Sequence, residues 1–307
     1  MGTPDFSVAA LENLARQENI SIDLVVTQPD RPKGRGKKLM PSPVKTVATN
    51  LGIDCYQPER LNTPEAVERL SSLNTDFFVV AAYGQILSQE ILDIPRICPI
   101  NIHASLLPKY RGASPIQAAI LNRDTQSGVT TMLMAKAMDA GDILMTESTD
   151  ISPEDTAQDL HDRLSVIGST LIVKTINALL DKSIEPIPQD HDKATYVKLL
   201  KKSDGLINWE QSAGQICAHI RAMTPWPGAF TRMEGQTIKI FKASPSDLSG
   251  TTHPIGTIFQ CDDRGIHVVC AGGAVTILEL MGASGKRLKI DDYLRGHPLT
   301  PPIQLGD

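Results

Sequence analysis

The sequence predicts an α/β protein in two parts: a largely parallel, Rossmann-like sheet domain, followed by a small β-rich domain. Two observations support this prediction. From residue 5 to residue 182, short apolar runs alternate with segments whose apolar residues recur at helical spacing. After residue 204 the chain consists mainly of short β-prone runs bounded by Gly, Asp or Pro, which is typical of a small barrel or sandwich.

The predicted helices combine helical spacing with start and stop signals. Pro43 and Pro64 stand at first helical positions, Thr63 precedes one of these helices as a cap, and Gly52 ends the other. The predicted helices cover residues 6–16, 43–51, 64–73, 115–121, 156–180 and 210–223.

The predicted strands are short apolar runs between these helices. Residues 77–82 are apolar at every position, which indicates a strand buried on both faces of a parallel sheet. Ligands of such sheets bind at the carboxyl ends of the strands. The predicted strands cover residues 22–27, 77–82, 98–103, 129–134 and 143–149 in the first domain, and 237–243, 256–260, 265–270 and 274–280 in the second.

Changes in composition divide the chain into three segments. We predict a first, catalytic domain over residues 1–182, a linker over 183–204 and a second domain over 205–307. The linker has prolines, little apolar periodicity and a set of like-charged residues, namely Lys193, Lys198, Lys201 and Lys202.

Length and composition exclude several classes of protein. With 307 residues, of which 41% are hydrophobic, the chain can form one sizeable core and a smaller domain. It has no run of about 18 apolar residues and no basic start before an apolar stretch, so we expect a cytoplasmic protein. The five cysteines include no Cys-x-x-Cys pair, and the histidines lack metal-ligand spacing, so we expect neither a disulfide framework nor a metal site.

Residues 101–108, Asn-Ile-His-Ala-Ser-Leu-Leu-Pro, place an amide and an imidazole at the end of an apolar strand. Residues two apart in a strand point to the same face, so we expect Asn101 and His103 to face one space. An Asn can donate hydrogen bonds to a developing oxyanion, and a His can move a proton near neutral pH. The pair therefore suits acyl transfer, although spacing alone leaves open a capped strand end with a satisfied histidine.

Residues 138–144, Met-Asp-Ala-Gly-Asp-Ile-Leu, supply carboxylates in a loop between two apolar runs. An Asp next to a His favours the imidazolium and fixes its orientation, so Asp139 is a candidate partner of His103. Taken alone, the same residues are also typical of an ordinary hairpin turn.

One segment is strongly basic although the formal net charge of the chain is −5. Residues 27–45 carry six basic residues against one acidic residue, Asp30, a local net charge of +5. Prolines and glycines in this segment disfavour a helix interior or a central strand, so we predict a mobile basic loop that attracts phosphate. A solvated loop without a partner is the alternative. The basic residues are Arg31, Lys33, Arg35, Lys37, Lys38 and Lys45.

Asn101, His103 and the following Ser-Leu-Leu-Pro, with Asp139 about one strand and loop downstream, resemble the catalytic triad of the folate-dependent formyltransferase family. The sequence resembles most those members that formylate methionyl-tRNA for translation initiation. This similarity is carried by residues 2–6 (Gly-Thr-Pro-Asp-Phe), 27–45, 82–87 and 225–229, and so extends over most of the chain.

The resemblance implies an enzyme with 10-formyltetrahydrofolate as formyl donor and initiator methionyl-tRNA as acceptor. It also implies that the enzyme uses no metal, binds no membrane and is a monomer. It assigns catalysis to Asn101, His103 and Asp139. It also implies a second domain that is an open barrel of the oligonucleotide-binding type and binds tRNA. The implied folate pocket consists of Ser105, Leu106, Leu107, Pro108, Tyr83, Gly84, Ile86 and Leu87, and the implied tRNA-binding residues are Lys33, Arg35, Lys37 and Lys38.

The implied reaction is attack of the amino group of methionyl-tRNA on the formyl carbon, with Asn101 and His103 stabilising the oxyanion. Asp139 would orient the imidazole, and the proton would move through His103 directly or through a water held by Asp139. For the leucines and isoleucine of the folate pocket, core packing is the alternative. Three other functions stay open: formyl transfer to a sugar nucleotide or small amine, formyltetrahydrofolate hydrolysis, and tRNA binding without catalysis.

One departure from the family pattern concerns the first residues. In the family an apolar strand precedes Gly-Thr-Pro-Asp-Phe, whereas here Met1 stands where that strand would end. We therefore expect the sheet to lack its first strand and translation to start upstream of Met1.

Overall fold

The computed structural model describes residues 1–33, 36, 38–248, 252–282 and 285–306. These residues form two compact units. The first unit contains residues 1–115, 126–150 and 161–197, and the second contains residues 116–125, 151–160 and 198–307. The predicted α/β class is confirmed, because helices and strands alternate in the first unit and antiparallel strands dominate the second.

Two short helices, at residues 89–92 and 290–296, were not predicted, and the other six described helices agree with the predicted ones to within three residues at each end. Ser42 caps the second of them by accepting a hydrogen bond from Lys45 N at 3.1 Å, and Thr63 caps the third by accepting from Ala66 N at 3.3 Å. The helices are α1 (Val8–Ala15), α2 (Pro43–Asn50), α3 (Pro64–Ser72), α4 (Gln89–Leu92), α5 (Pro115–Leu121), α6 (Ala157–Leu180), α7 (Ala213–Ala222) and α8 (Ile290–Gly296).

The strands of the first unit lie in several sheets. They are β1 (Val25–Val26), β2 (Arg31–Lys33), β3 (Lys38–Met40), β4 (Cys55–Tyr56), β5 (Phe77–Val80), β6 (Cys98–His103), β7 (Arg111–Gly112), β8 (Gln126–Leu133), β9 (Ile143–Asp150) and β10 (Tyr196–Val197). Within the described residues, β5, β6, β8 and β9 form a four-stranded sheet in that order, and β1 pairs with β4.

Parallel pairing is found between the two predicted strands β5 and β6, and between β1 and β4, of which β4 was not predicted. In contrast, β8 runs antiparallel to both β6 and β9. The short connection between β8 and β9 explains part of this difference, since a parallel return needs a crossover of a dozen or more residues. The sheet that carries the candidate site is therefore mixed, and β6 is its parallel–antiparallel boundary.

The first two residues of the chain lie between β1 and β5. Gly2 N donates to Val26 O at 3.0 Å, and the Met1 carbonyl accepts from Ala81 N at 3.0 Å. Below this contact the described residues leave a cavity of about 520 Å³, lined by residues of β1, β5, α1 and the loop before β1.

Helix α6 supports the strand that carries Asn101 and His103. Leu164 and Ile172 are fully buried, and a Cβ atom on Gly168 would lie 2.9 Å from Ile102 Cγ2, so the helix backbone packs closely on β6. Among the described helices, α6 alone is long and apolar enough to cross a membrane by length and composition, and half of that stretch is buried. Core helices meet the same criterion, and its contacts with β6 identify α6 as one of them.

The basic segment differs from the predicted irregular loop, because β2 and β3 pair antiparallel as a short hairpin. A two-stranded ribbon has only edge strands, which explains why Pro32 is tolerated in β2. At the base of this basic hairpin, Asp30 accepts hydrogen bonds from Gln57 Nε2 at 2.7 Å and Lys45 Nζ at 2.8 Å, and both bonds lower the pKa of Asp30. Lys45 is therefore neutralised locally by Asp30.

Part of the predicted linker is folded into the first unit. In the described chain, β10 pairs in parallel with β7, so that Tyr196 lies opposite Arg111 and Val197 opposite Gly112. A Cβ atom on Gly112, whose φ is 111°, would collide with the Val197 carbonyl oxygen. Only glycine therefore permits this approach of the two chain segments.

In the described part of the second unit, seven strands form one curled antiparallel sheet. A bridge between Met233 and Leu305 joins residues near its two ends. Alternating apolar residues of these strands, such as Ile240, Val268 and Val275, are fully buried and fill its interior. The strands are β11 (Ala229–Met233), β12 (Gln236–Pro245), β13 (Thr257–Asp262), β14 (Gly265–Cys270), β15 (Gly273–Met281), β16 (Arg287–Lys289) and β17 (Ile303–Gln304).

The turn between β13 and β14 is organised by a carboxylate. Asp262 accepts hydrogen bonds from His267 Nε2 at 3.0 Å, Gln260 Nε2 at 2.8 Å and Arg264 Nη2 at 2.9 Å. Burial alone would raise the pKa of Asp262, but these hydrogen bonds outweigh burial and hold the pKa well below its usual range. The ionised carboxylate therefore stabilises the folded second unit.

We predict that Asp262→Asn lowers the free energy of unfolding by about 1–2 kcal/mol at pH 7, because charge-assisted hydrogen bonds are lost. The folded pKa is below the unfolded value, so the stabilisation is complete above about pH 5 and is lost as pH falls below about 4. Urea unfolding of both proteins from pH 7 down to pH 3 measures this. A stability difference that stays constant over this range would contradict the prediction.

Candidate active site

His103 is the last residue of β6 and is buried, with 6% of its surface exposed. Its Nε2 atom lies 3.0 Å from the backbone carbonyl oxygen of Tyr110. A carbonyl only accepts hydrogen bonds, so this contact assigns the ring proton to Nε2. In the neutral ring, Nδ1 then carries the lone pair and faces Asp139, whose Oδ2 atom is 3.7 Å away.

Asn101 and Asp139 complete a cluster with His103. Asn101 Nδ2 lies 3.5 Å from Asp139 Oδ1, and strand alternation puts the Asn101 and His103 side chains on one face of β6. The structure thus brings together the three residues that the sequence singled out. The cluster joins an amide donor, an imidazole and a carboxylate, which is a set suited to moving a proton next to a developing negative charge.

Asp139 is held by groups outside this cluster. Its Oδ2 atom accepts a hydrogen bond from Gly112 N at 2.7 Å, the shortest contact of the carboxylate. Its backbone carbonyl accepts from Gln189 Nε2 at 2.9 Å, and the same nitrogen donates to Gly141 O at 2.6 Å. The backbone at Asp139 has φ 51°, in the left-handed region that few non-glycine residues adopt.

The segment after His103 is fixed by Thr130 on the neighbouring strand β8. Thr130 Oγ1 donates to Ser105 O at 2.7 Å and accepts from Leu107 N at 3.1 Å. Ser105 and Leu107 are buried, whereas Leu106 and Pro108 are half-buried. Of the candidate folate-pocket residues in this segment, Leu106 and Pro108 are therefore the more accessible, and the leucine at 107 belongs largely to the packed interior.

The loop after β5 carries the other candidate pocket residues. Val80 pairs with Asn101, so this loop leaves the sheet at the level of the cluster of Asn101, His103 and Asp139. Gly84 and Ile86 are exposed, and their backbone N–H groups make no hydrogen bond within the described residues. These two positions offer the donors and apolar surface expected of a ligand pocket.

Tyr83 and Leu87 differ from that expectation. Both side chains are buried in the cluster formed with Phe78, Val80 and Ile91, so they contribute backbone atoms rather than side chains to the loop surface. The core-packing alternative holds for Leu87, and Tyr83 packs in the same core although no such alternative was predicted for it.

The structure describes only part of the proposed tRNA-binding set. Lys38 is exposed in β3, and Lys33 lies in β2. Arg35 and Lys37 lie outside the described residues, so their assignment stays a prediction.

The sulfur and metal chemistry of the described residues is limited. Cys98 begins β6, and burial raises the pKa of its thiol to about 11, so the residue stays protonated at neutral pH. All five cysteines are free. No group of three or more His, Cys, Asp or Glu side chains with metal-binding geometry exists in the described ranges.

The sequence also matches known protein families over both parts of the chain. Residues 1–176 match the Formyl transferase family, and residues 199–298 match the Formyl transferase, C-terminal domain family. The chain belongs to the formyl transferase family. It is 45% identical over 306 residues to the methionyl-tRNA formyltransferase of Geobacter metallireducens, an alignment that covers 100% of this chain and 97% of the relative. It is 45% identical over 300 residues to the enzyme of Clostridium novyi, covering 97% and 96% of the two chains.

Solved structures of formyl transferases share the fold. An N-formyltransferase from Helicobacter canadensis, in complex with folinic acid and dTDP-3-aminofucose, has a TM-score of 0.65 and 21% identity, and covers 90% of this chain and 96% of that one. Methionyl-tRNA formyltransferase from Clostridium thermocellum has a TM-score of 0.50 and 22% identity, covering 64% of this chain and 83% of that one.

Three residues next to the triad were not predicted from the sequence: Gly112, Thr130 and Gln189. The sequence offered a partial indication for Gly112, because Tyr110-Arg111-Gly112 places a charged residue and a glycine shortly after Pro108. Gln189 had none, because it lies in a polar segment 50 residues after Asp139 in the chain.

We predict that Tyr83→Phe leaves the free energy of unfolding unchanged or raises it by up to about 1 kcal/mol. The buried Tyr83 hydroxyl has no hydrogen-bond partner among the residues that the structure describes, and burial raises its pKa to about 12, so its removal relieves an unpaired polar group. Urea unfolding at neutral pH measures the change. A loss of more than about 1 kcal/mol would reveal a hydrogen bond to this hydroxyl in solution.

Proposed function

We propose that this chain transfers the formyl group of 10-formyltetrahydrofolate to the amino group of initiator methionyl-tRNA, as a cytoplasmic monomer that serves translation initiation. The single observation that carries this proposal is the convergence of Asn101, His103 and Asp139 at the end of β6, with distances of 3.5 and 3.7 Å to the Asp139 carboxylate. The acceptor follows from the 45% identity over the full chain to methionyl-tRNA formyltransferases.

The folate donor fits the residues around the cluster. Solved family structures contain 5-N-formyl-tetrahydrofolate and tetrahydrofolic acid. In this chain the exposed loop at Gly84 and Ile86 and the half-buried Leu106 and Pro108 offer backbone donors and apolar surface for such a molecule. The donor supplies the carbonyl carbon that the amine attacks.

The side chains divide the chemistry between them. Nδ1 of His103 accepts the proton that the amino group must lose, while Nε2 stays bonded to the Tyr110 carbonyl. Asp139 stabilises the imidazolium that results. Asn101 donates a hydrogen bond through Nδ2 to the oxygen on which negative charge develops. As the oxyanion collapses and the bond between the formyl carbon and the folate nitrogen breaks, the same imidazolium gives its proton to that nitrogen.

The proposed tRNA contacts involve the basic hairpin and the second unit. Lys33, Arg35, Lys37 and Lys38 concentrate positive charge in a chain that is acidic elsewhere, which favours a phosphate backbone as partner. We propose that the curled antiparallel sheet of residues 205–307 is an open barrel of the oligonucleotide-binding type that contacts the same tRNA. Both assignments are supported by the resemblance to methionyl-tRNA formyltransferases.

We predict that His103→Ala lowers kcat for formyl transfer at least about 100-fold, since general acid–base catalysis contributes factors of that size. The assay follows labelled formyl transfer from 10-formyltetrahydrofolate to charged initiator methionyl-tRNA, with uncharged tRNA, free methionine and a dTDP-amino sugar as alternative acceptors. His161→Ala, in α6 and beside Asp162 rather than in the cluster, is the matched control and should keep full activity.

Transfer to the charged tRNA alone, lost in His103→Ala, would support the proposal. Deformylation of the folate without any acceptor would identify a hydrolase instead. Transfer to the amino sugar in preference to tRNA would identify a sugar-nucleotide enzyme.

We predict that Lys38→Ala raises the KM for methionyl-tRNA and reduces the slope of log binding constant against log salt by about 1, because one phosphate contact is lost. The KM for the folate should not change. Lys182→Ala, at an exposed position after α6, is the control. Titration of tRNA binding at several salt concentrations tests this, and an equal effect of both variants would mean that the hairpin has no special role.

A further inference from the structure

The guanidinium of Arg111 is buried. Arg111 comes directly before Gly112, whose backbone N–H donates a hydrogen bond to the Asp139 carboxylate. Arg111 is 1% exposed and has no carboxylate at ion-pair distance within the described residues. Its Nε and Nη2 atoms both donate to Gln189 Oε1, at 3.1 and 2.7 Å, and its Nη1 donates to the Tyr196 hydroxyl at 3.1 Å. Nη2 also lies 3.0 Å from His191 Nδ1.

These contacts fix the orientation of the Gln189 side-chain amide. A guanidinium only donates hydrogen bonds, so the Gln189 atom that faces Arg111 must be the carbonyl oxygen. The amide nitrogen then points the other way, where it donates to the carbonyls of Asp139 and Gly141 at 2.9 and 2.6 Å. Arg111 thus determines that Gln189 presents a donor, rather than an acceptor, to the Asp139 loop.

The Asp139 loop needs such a donor. Asp139 adopts φ 51°, a backbone conformation that is costly for residues other than glycine and persists when surrounding contacts hold it. The Gln189 bonds hold the carbonyls on both sides of Ala140, and the Gly112 N–H holds the carboxylate. Gly112 is itself fixed by the pairing of β7 with β10, which begins at Arg111.

We propose that Arg111 and Gln189 are positioning residues that hold Asp139 beside His103 and Asn101, and that residues 189–197 thereby form part of the catalytic apparatus. Neither residue touches the reacting atoms. The catalytic part of this proposal rests on the proposed function. The hydrogen bonds by which Arg111 and Gln189 hold the Asp139 loop, which we call the clamp, do not depend on it.

The substitution Gln189→Glu separates the bonds that Gln189 accepts from Arg111 from the bonds that it donates to the Asp139 loop. One carboxylate oxygen keeps the bonds to Arg111, so the buried guanidinium stays paired, while the other replaces the donor nitrogen and faces two carbonyl oxygens. We expect kcat to fall roughly tenfold to a hundredfold through misplacement of Asp139, with the KM values for folate and methionyl-tRNA within about twofold of the parent.

Gln304→Glu is the matched control in the second unit. Gln304 makes the same pattern of bonds, donating through Nε2 to the carbonyls of Ile255 and Leu305 at 3.0 and 3.1 Å and accepting through Oε1 from Thr257 at 2.9 Å. The same chemical change there should leave amide hydrogen exchange over residues 135–143 as in the parent protein.

A double-mutant cycle with Asp139→Asn distinguishes positioning from general destabilisation. If Gln189 acts through Asp139, Gln189→Glu should cost no more than about twofold in kcat once the Asp139 charge is absent. If Gln189→Glu lowers kcat by the same factor in the Asp139→Asn variant as in the parent protein, the two residues act independently and the proposal is wrong.

Amide hydrogen exchange over residues 135–143 provides a readout that needs no activity. Gln189→Glu should speed exchange in this segment at least about tenfold, and Gln304→Glu should not. Gln189→Met, which removes the donor without adding a charge, should act in the same direction and replaces Gln189→Glu if that variant fails to fold. Unchanged exchange in a folded variant would show that the clamp does not exist.

The two proposals fail in different ways. If the parent protein formylates none of the acceptors, the proposed function is wrong, and the exchange experiment still decides whether Gln189 holds the loop. If the parent is active and exchange increases but kcat does not change, the clamp exists without a catalytic role and the positioning proposal is wrong.

Discussion

The pairing of β6 with a neighbour on each side is the constraint on which the candidate site depends. Asn101 lies opposite Val80 on one side and Met132 on the other, and His103 lies opposite Thr130. A shift of register by one residue would turn both side chains to the opposite face of the sheet. The backbone ladder, together with the close packing of α6 at Gly168, therefore sets where the amide and the imidazole point.

The carboxylate of the cluster is positioned by different means. Asp139 lies in a loop, and its placement depends on hydrogen bonds from Gly112 and Gln189 rather than on a sheet ladder. These hydrogen bonds hold the loop strongly because their donors and acceptors are largely buried. A buried polar group that loses its hydrogen bond cannot bond to water instead, which costs free energy of folding. A rigid strand and a loop fixed by buried polar contacts thus meet at one point.

The fold by itself does not identify the acceptor of the formyl group. An N-formyltransferase with dTDP-3-aminofucose bound has a higher TM-score, 0.65, than the methionyl-tRNA formyltransferase of Clostridium thermocellum, 0.50, yet both are near 20% identical to this chain. The 45% identity to a methionyl-tRNA formyltransferase extends over the whole chain, including the basic segment and the second unit. Function here is a property of sites placed on a shared scaffold.

The sequence by itself determined the elements whose signals are local. Pro43 after Ser42 and Pro64 after Thr63 started their helices as predicted, and β6 has the predicted bounds of residues 98–103. The approach of Asn101, His103 and Asp139 was also expected from the sequence, because two of them are two residues apart in a strand and the family resemblance supplied the third. Only the tertiary structure decided the antiparallel course of β8, the burial of Tyr83 and Leu87, and the contact of Arg111 with Gln189. The last pair is 78 residues apart in the chain, and no local pattern records a hydrogen bond that forms only when distant segments pack together.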